Sequence, residues 1–168
     1  MRHLTLCTTV LALALAPAVS AAAARPAHVA RVEVHGTGGP GGGLYGFRVD
    51  ISATKAAGKA PRGTFSGTIA PGTGSTSTPD LVTLAGPVTC LQVVGRTASL
   101  LYPLSTVTTA AGAETADQLS ILITVKQGVA GAPSKMGFTG PLPTSAFGGA
   151  CAPASTPFVV EGTVRIAP

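Results

Sequence analysis

The chain predicts an all-β fold, an antiparallel sandwich or small barrel of about seven or eight strands. Three observations lead there. Apolar residues recur with a period of two, as on a half-buried strand. β-Branched residues dominate those runs. Gly and Pro, 22 and 14 of the 168 residues, interrupt every window long enough for a helix.

In chain order the first element is a leader. Arg2 and His3 make a short basic start, Val10 to Val19 is an apolar run broken by Pro17, and Val19-Ser20-Ala21 supplies the small residues of a signal-peptidase site. The run is shorter than the roughly 20 residues that a bilayer requires. Residues 1–21 are therefore expected to be cleaved, with the alanines up to Ala24 as neighbouring alternatives, and no transmembrane segment is expected after processing. The domain reading is a signal peptide over 1–21, an N-terminal segment and Gly-rich loop over 22–43, and a β domain over 44–168. The expected location is secreted, extracellular or attached to the cell envelope.

The strands follow. Tyr45, Phe47, Val49 and Ile51 alternate with Gly46, Arg48, Asp50 and Ser52. Leu119, Ile121, Ile123 and Val125 repeat the pattern, and Leu122 between them implies that both faces are partly covered. Phe158, Val160, Gly162, Val164 and Ile166 give the cleanest case. Weaker runs are Ala30 to Val34, Thr64 to Ile69, Leu81 to Leu84, Val88 to Val94 and Thr97 to Tyr102. Turns are expected at Gly36 to Gly43, Pro61 to Gly63, Pro71 to Gly74, Gly95-Arg96 and Gly131 to Pro133. A short helical turn is an option near Ala110 to Asp117. The tract from Gly128 to Pro157 reads as an irregular excursion, with one short strand around Met136 to Thr139.

Composition bounds the function. Eleven basic residues face six acidic ones, and they are scattered; only Lys55, Lys59 and Arg62 lie close together. A nucleic-acid surface needs a denser basic stripe with aromatics to stack on bases, so no nucleic-acid partner is expected. There is no Trp and no Asn, hence no N-glycosylation sequon. Cys7 leaves with the leader, and in an oxidising compartment the remaining Cys90 and Cys151 are expected to form one disulfide.

The catalytic motifs are weak. Gly36 to Gly41 fits G-x-G-x-x-G literally, but Pro40 and further glycines follow where a phosphate-binding helix would have to begin. Glu33 and His35, two apart on one strand face, could hold one metal in principle; two solvent-facing polar residues explain them as well, and no metal or cofactor is expected. Gly63 to Gly67 reads GTFSG and lacks the nucleophile elbow at Ser66. Asp50, Asp80, Glu114, Asp117 and Glu161 show no spacing for a glycosidase pair. The protein is read as not an enzyme.

One stretch carries more than composition. Gly86-Pro87-Val88-Thr89-Cys90-Leu91-Gln92-Val93-Val94-Gly95-Arg96-Thr97-Ala98 has the cadence G-x-V-x-C-L-x-V-x-G-x-x-A, followed by Ala116-Asp117-Gln118-Leu119 and a closing Gly162 to Ile166 strand. It resembles an uncharacterised family of small secreted all-β domains of actinobacteria, in which a second cysteine precedes the last strand, as Cys151 does here. The chain departs from that family at Gly95-Arg96, where the family has Gly-Asn, and it lacks the family's D-N-G turn. The resemblance implies a fold and a compartment and transfers no catalytic residue. Within the motif, Val88, Cys90 and Gln92 are expected on one face and Thr89, Leu91 and Val93 on the other.

The function expected from these observations is a non-catalytic extracellular binding or interaction module. It would be a monomer with an extracellular or cell-envelope partner. The alternatives are a lipocalin-like carrier of a small apolar ligand and a hydrolase with an unrecognised site. A carrier needs a hollow interior, whereas Tyr45, Phe47, Phe65 and Phe158 read as core fillers.

Overall fold

Alternating side chains with frequent turn residues give strands that pair mostly with near neighbours. The computed structural model describes residues 28–39, 45–72, 80–109, 111–115 and 118–168. These form β1 (Val29–Gly39), β2 (Tyr45–Ala56), β3 (Arg62–Pro71), β4 (Val82–Pro87), β5 (Cys90–Val94), β6 (Thr97–Pro103), β7 (Thr106–Thr109), β8 (Gly112–Thr115), β9 (Leu119–Lys126), β10 (Ser134–Pro143) and β11 (Phe158–Ala167). One turn of 3₁₀ helix, Thr144–Phe147, follows β10. The leader, the alanines at its end, most of the Gly72 to Thr78 loop, and Ala116 with Asp117 lie outside the described residues.

The strands make one antiparallel sheet in the order β5-β6-β9-β10-β11-β1-β2-β3-β4-β7-β8. The all-β antiparallel class is as expected, but seven or eight strands becomes eleven. Two strands are additions and a third is longer than expected. β7 and β8 are four-residue Thr- and Ala-rich strands without apolar alternation, and β8 occupies the place read as a helical turn. β10 runs for ten residues where a four-residue strand was expected. β5 and β8 stand at opposite ends of the sheet, so the barrel is not closed.

The sheet folds back on itself. β3 and β6 are six positions apart in the order, about 29 Å on a flat sheet at about 4.8 Å per strand, yet Phe65 of β3 stacks on Tyr102 of β6 with ring centroids 3.9 Å apart. The return is made at two corners. Val88 donates its N–H to Gly63, continuing the β3–β4 ladder, while Thr89 donates to Leu101, beginning the β5–β6 ladder. Leu104 donates to Leu119 beside β9, and Ser105 donates to Ala85 beside β4. The chain therefore changes layer at Val88-Thr89 and again at Leu104-Ser105. Gly86 sits where the corners touch, because a Cβ there would collide with the Pro103 carbonyl. This corner also breaks the expected alternation: Val88 and Leu91 are both in the core.

A single hydrophobic cluster fills the space between the layers, with Val32, Val34, Phe47, Val49, Ile51 and Phe65 from one side and Leu91, Leu100, Tyr102, Ile121, Ile123 and Met136 from the other. The Gly-rich stretch expected as a loop is a strand through Gly39. β1 lies in mid-sheet, paired with both β2 and β11, so the β domain begins before residue 44. Gly38 is required there, since a Cβ would run into the Phe47 ring and the Val159 carbonyl. Phe47 is its direct cross-strand partner, an aromatic lying over a glycine that contributes no side chain of its own.

The tract after the 3₁₀ turn is pinned. Cys90 and Cys151 form the disulfide, with Cα atoms 5.9 Å apart. Beyond Cys151 the chain covers the outer face of β6 and β9, where Ser99 donates to Ala152 and Ala154 donates to the Thr124 hydroxyl. Ser99 and Thr124 are buried there, and Ser120 is buried where its hydroxyl meets that of Thr144 in the 3₁₀ turn, which accounts for the covered second face that Leu122 suggested.

Candidate functional site

The two layers are joined by a short seam. β10 pairs with β11 only through Ser134, Lys135 and Met136, after which the strands part. β10 keeps its ladder to β9, with an irregularity between Thr139 and Leu142, and carries a cis Gly140–Pro141 peptide. The parting leaves an apolar cavity of about 80 Å³ between β10 and the β2–β3 hairpin. Phe47, Phe65, Ile69, Ile121, Ile123 and Met136 are among the residues of its wall.

Three features define its chemistry. Phe65 lies flat across the layer because Gly67, two residues on, has no Cβ; one there would meet the ring. Its ring and that of Tyr102 therefore form a stacked wall. Tyr102 is 1 % exposed, and its hydroxyl has no hydrogen-bond partner among the described residues. Such a buried, unmatched hydroxyl costs about 1–3 kcal/mol, and burial raises its pKa well above the ordinary value. At the rim, Phe138 is 43 % exposed and lies 5.3 Å, centroid to centroid, from Phe158, which meets Phe47 edge-on at 5.9 Å. Arg48, the charged residue of the wall, pairs with Asp80.

The residues singled out by sequence fall elsewhere. Glu33 pairs with Arg31 at 3.0 Å, and His35 Nδ1 lies 2.8 Å from Asp50 Oδ2, so the two do not converge on a common point. Among the described residues no three of His, Cys, Asp and Glu gather as metal ligands. The register aligns His35, Asp50 and Ser66 side by side on adjacent strands. Asp50 stands between the other two, whereas general-base activation of a serine needs the histidine in the middle. Gly36 to Gly39 belong to β1, and the next element among the described residues is the strand β2, not a helix that could hold a phosphate. Of the expected fillers, Phe47 and Phe65 are buried but Tyr45 is 55 % exposed. Among the described residues no helix is long and apolar enough to cross a membrane.

Sequence reasoning named Phe47 and Phe65 but missed the cavity they line. Its wall is assembled from β2, β3, β4, β6, β9 and β10, and no local pattern reports such a convergence. The one available signal was Gly67 beside Phe65, a glycine within a strand pattern. No family model, curated protein or solved structure matches the chain.

Proposed function

We propose that this protein is a secreted, non-catalytic binding module that grips a small apolar group in the cavity between its layers. The observation that carries the reading is the cavity itself, apolar in its wall and opening beside the exposed Phe138 ring. Exposed aromatics beside a concave apolar recess are the usual anatomy of a recognition site. The Cys90–Cys151 disulfide and the leader-like first 21 residues support an extracellular setting, and so does the resemblance carried by Gly86 to Ala98.

Size favours a module over a carrier. A cavity of about 80 Å³ is smaller than the roughly 150 Å³ that accommodates one benzene, and far below the roughly 300–1,000 Å³ of pockets that enclose whole ligands. It fits an apolar protrusion of a larger partner better than a whole lipid. The test is a methyl NMR titration of the mature protein with propane, an apolar probe smaller than benzene. Shifts confined to Ile69, Leu84, Ile121, Ile123 and Met136 are expected. No shift at saturating probe, or shifts centred on the exposed Val94 and Val129, would overturn the reading.

A further inference from the structure

Strand register brings together two cations that the sequence keeps apart. Lys126 of β9 and Lys135 of β10 are direct cross-strand partners, and their row continues to Thr97 of β6 on one side and Val159 of β11 on the other. The next row, Ala98, Val125 and Met136, lies in the core. Alternation therefore turns the lysines outward, away from the cavity, and both are exposed. Like charges directly opposite on paired strands repel, and among the described residues neither lysine has an ion-pair partner. A third cation stands at the end of the row. Arg96 donates from Nε to the Gln127 carbonyl at 3.3 Å and from a terminal nitrogen to the Gly128 carbonyl, which holds its guanidinium beside the β9 end without cancelling the charge. The row is also a ledge. The segment beyond Cys151 covers the adjacent outward row, where Ala154 donates to Thr124 and the Ser155 carbonyl lies against Gly137. Lys126 and Lys135 stand two residues farther along those strands, beside the edge of that cover.

We infer that this ledge docks a linear phosphate polymer whose oxyanions bridge Lys126 and Lys135, with Arg96 at one end. An oxyanion between two ammonium groups turns their repulsion into attraction on both sides, and lysine suits phosphate as a point charge. The flanking Thr97 and Val159 offer no ring on which a base could stack, which disfavours a nucleic acid. A membrane surface calls for a broad apolar face to insert, and the row supplies only Val159.

The experiment titrates the mature protein with medium-chain inorganic polyphosphate in about 0.1 M salt, where charges more than ~10 Å apart are largely screened. The wild type is compared with Lys126→Gln/Lys135→Gln and with Lys59→Gln/Arg62→Gln, which removes the same charge around the exposed β2–β3 turn. The first double variant is expected to bind about tenfold or more weakly. Its log–log dependence on salt should flatten by roughly 1.4, at about 0.7 per contact on a flexible strand. The second should bind as the wild type does. Glu161→Gln should tighten binding, because Glu161 lies two residues beyond Val159 on the same outward face of β11 and repels the polymer. Equal losses in the two double variants would reduce the effect to net charge and overturn the site, as would no binding by the wild type. Tighter binding to phosphatidylserine vesicles than to polyphosphate at equal phosphate would overturn the polymer as occupant. Without ligand, Lys126→Gln/Lys135→Gln should melt no lower than the wild type, since it removes a repulsion. A lower melting temperature would contradict the repulsion from which the inference starts.

Discussion

At the residue scale, the fold depends on places where a side chain would not fit. Gly38 and Gly67 each lie beneath an aromatic ring; in the sequence Gly38 looks like a loop signal, whereas Gly67 sits inside the Thr64 to Ile69 strand run. Gly36 is similar, with the Glu161 carbonyl 2.5 Å from where its Cβ would lie. Gly38→Ala should therefore destabilise the protein by about 2–4 kcal/mol through overpacking against Phe47 and the Val159 carbonyl. Chemical denaturation measures it, and a change below 0.5 kcal/mol would show that the ring moves aside freely. Tyr102 gives a pH prediction. Its folded pKa is raised by burial, so the unfolded chain gives up this proton first as pH rises. The stability held below the unfolded value near 10 is then lost progressively above it. Tyr102→Phe should remove that component. The offset between the denaturation midpoints of the two proteins should stay constant near pH 8 and change only toward the alkaline end of the range, and parallel curves would contradict it.

At the element scale, the disulfide fastens the segment over β6 and β9. Cys90 begins the edge strand β5, and the bond closes a separation of 61 residues. In the chain-entropy account that is worth roughly 4 kcal/mol. Cys151→Ser should lower the melting temperature while keeping the β-rich circular dichroism. It should also speed amide exchange at Ala154 and in neighbouring β6 and β9, because the covering segment loses its anchor. Unchanged exchange there would mean that the hydrogen bonds from Ser99 to Ala152 and from Ala154 to Thr124 suffice alone. This scale also shows what was legible in sequence. β2, β9 and β11 announce themselves by alternation because one face of each meets the core. β7 and β8 do not, because their Thr-rich faces lie at the far end of the sheet, where Thr106, Thr108 and Thr109 are exposed. β1 was recognised only as far as Val34, since its second half packs backbone against rings. The second half of β10 carries Gly140, Pro141 and Pro143, residues that read as a loop; Gly140 and Pro141 here line the cavity.

At the scale of the whole molecule, the sheet stays open and folds over, with two corners at one side and a three-residue seam at the other. Alternation predicts an inner face but not how far apart two inner faces stand, so the cavity could not be read from the sequence. Of the candidate metal and catalytic residues, all read from local spacing, Glu33 pairs with Arg31, His35 with Asp50, and Asp80 with Arg48. The site that remains is the one produced by topology, where β10 leaves β11. Its most direct test is a crystal of the mature protein pressurised with xenon, which enters apolar cavities of this kind. The account predicts a xenon atom among Phe65, Ile121, Ile123 and Met136, within van der Waals reach of the Tyr102 ring. Density for ordered water in that space with no xenon, or side chains closed upon each other so that no cavity remains, would contradict it.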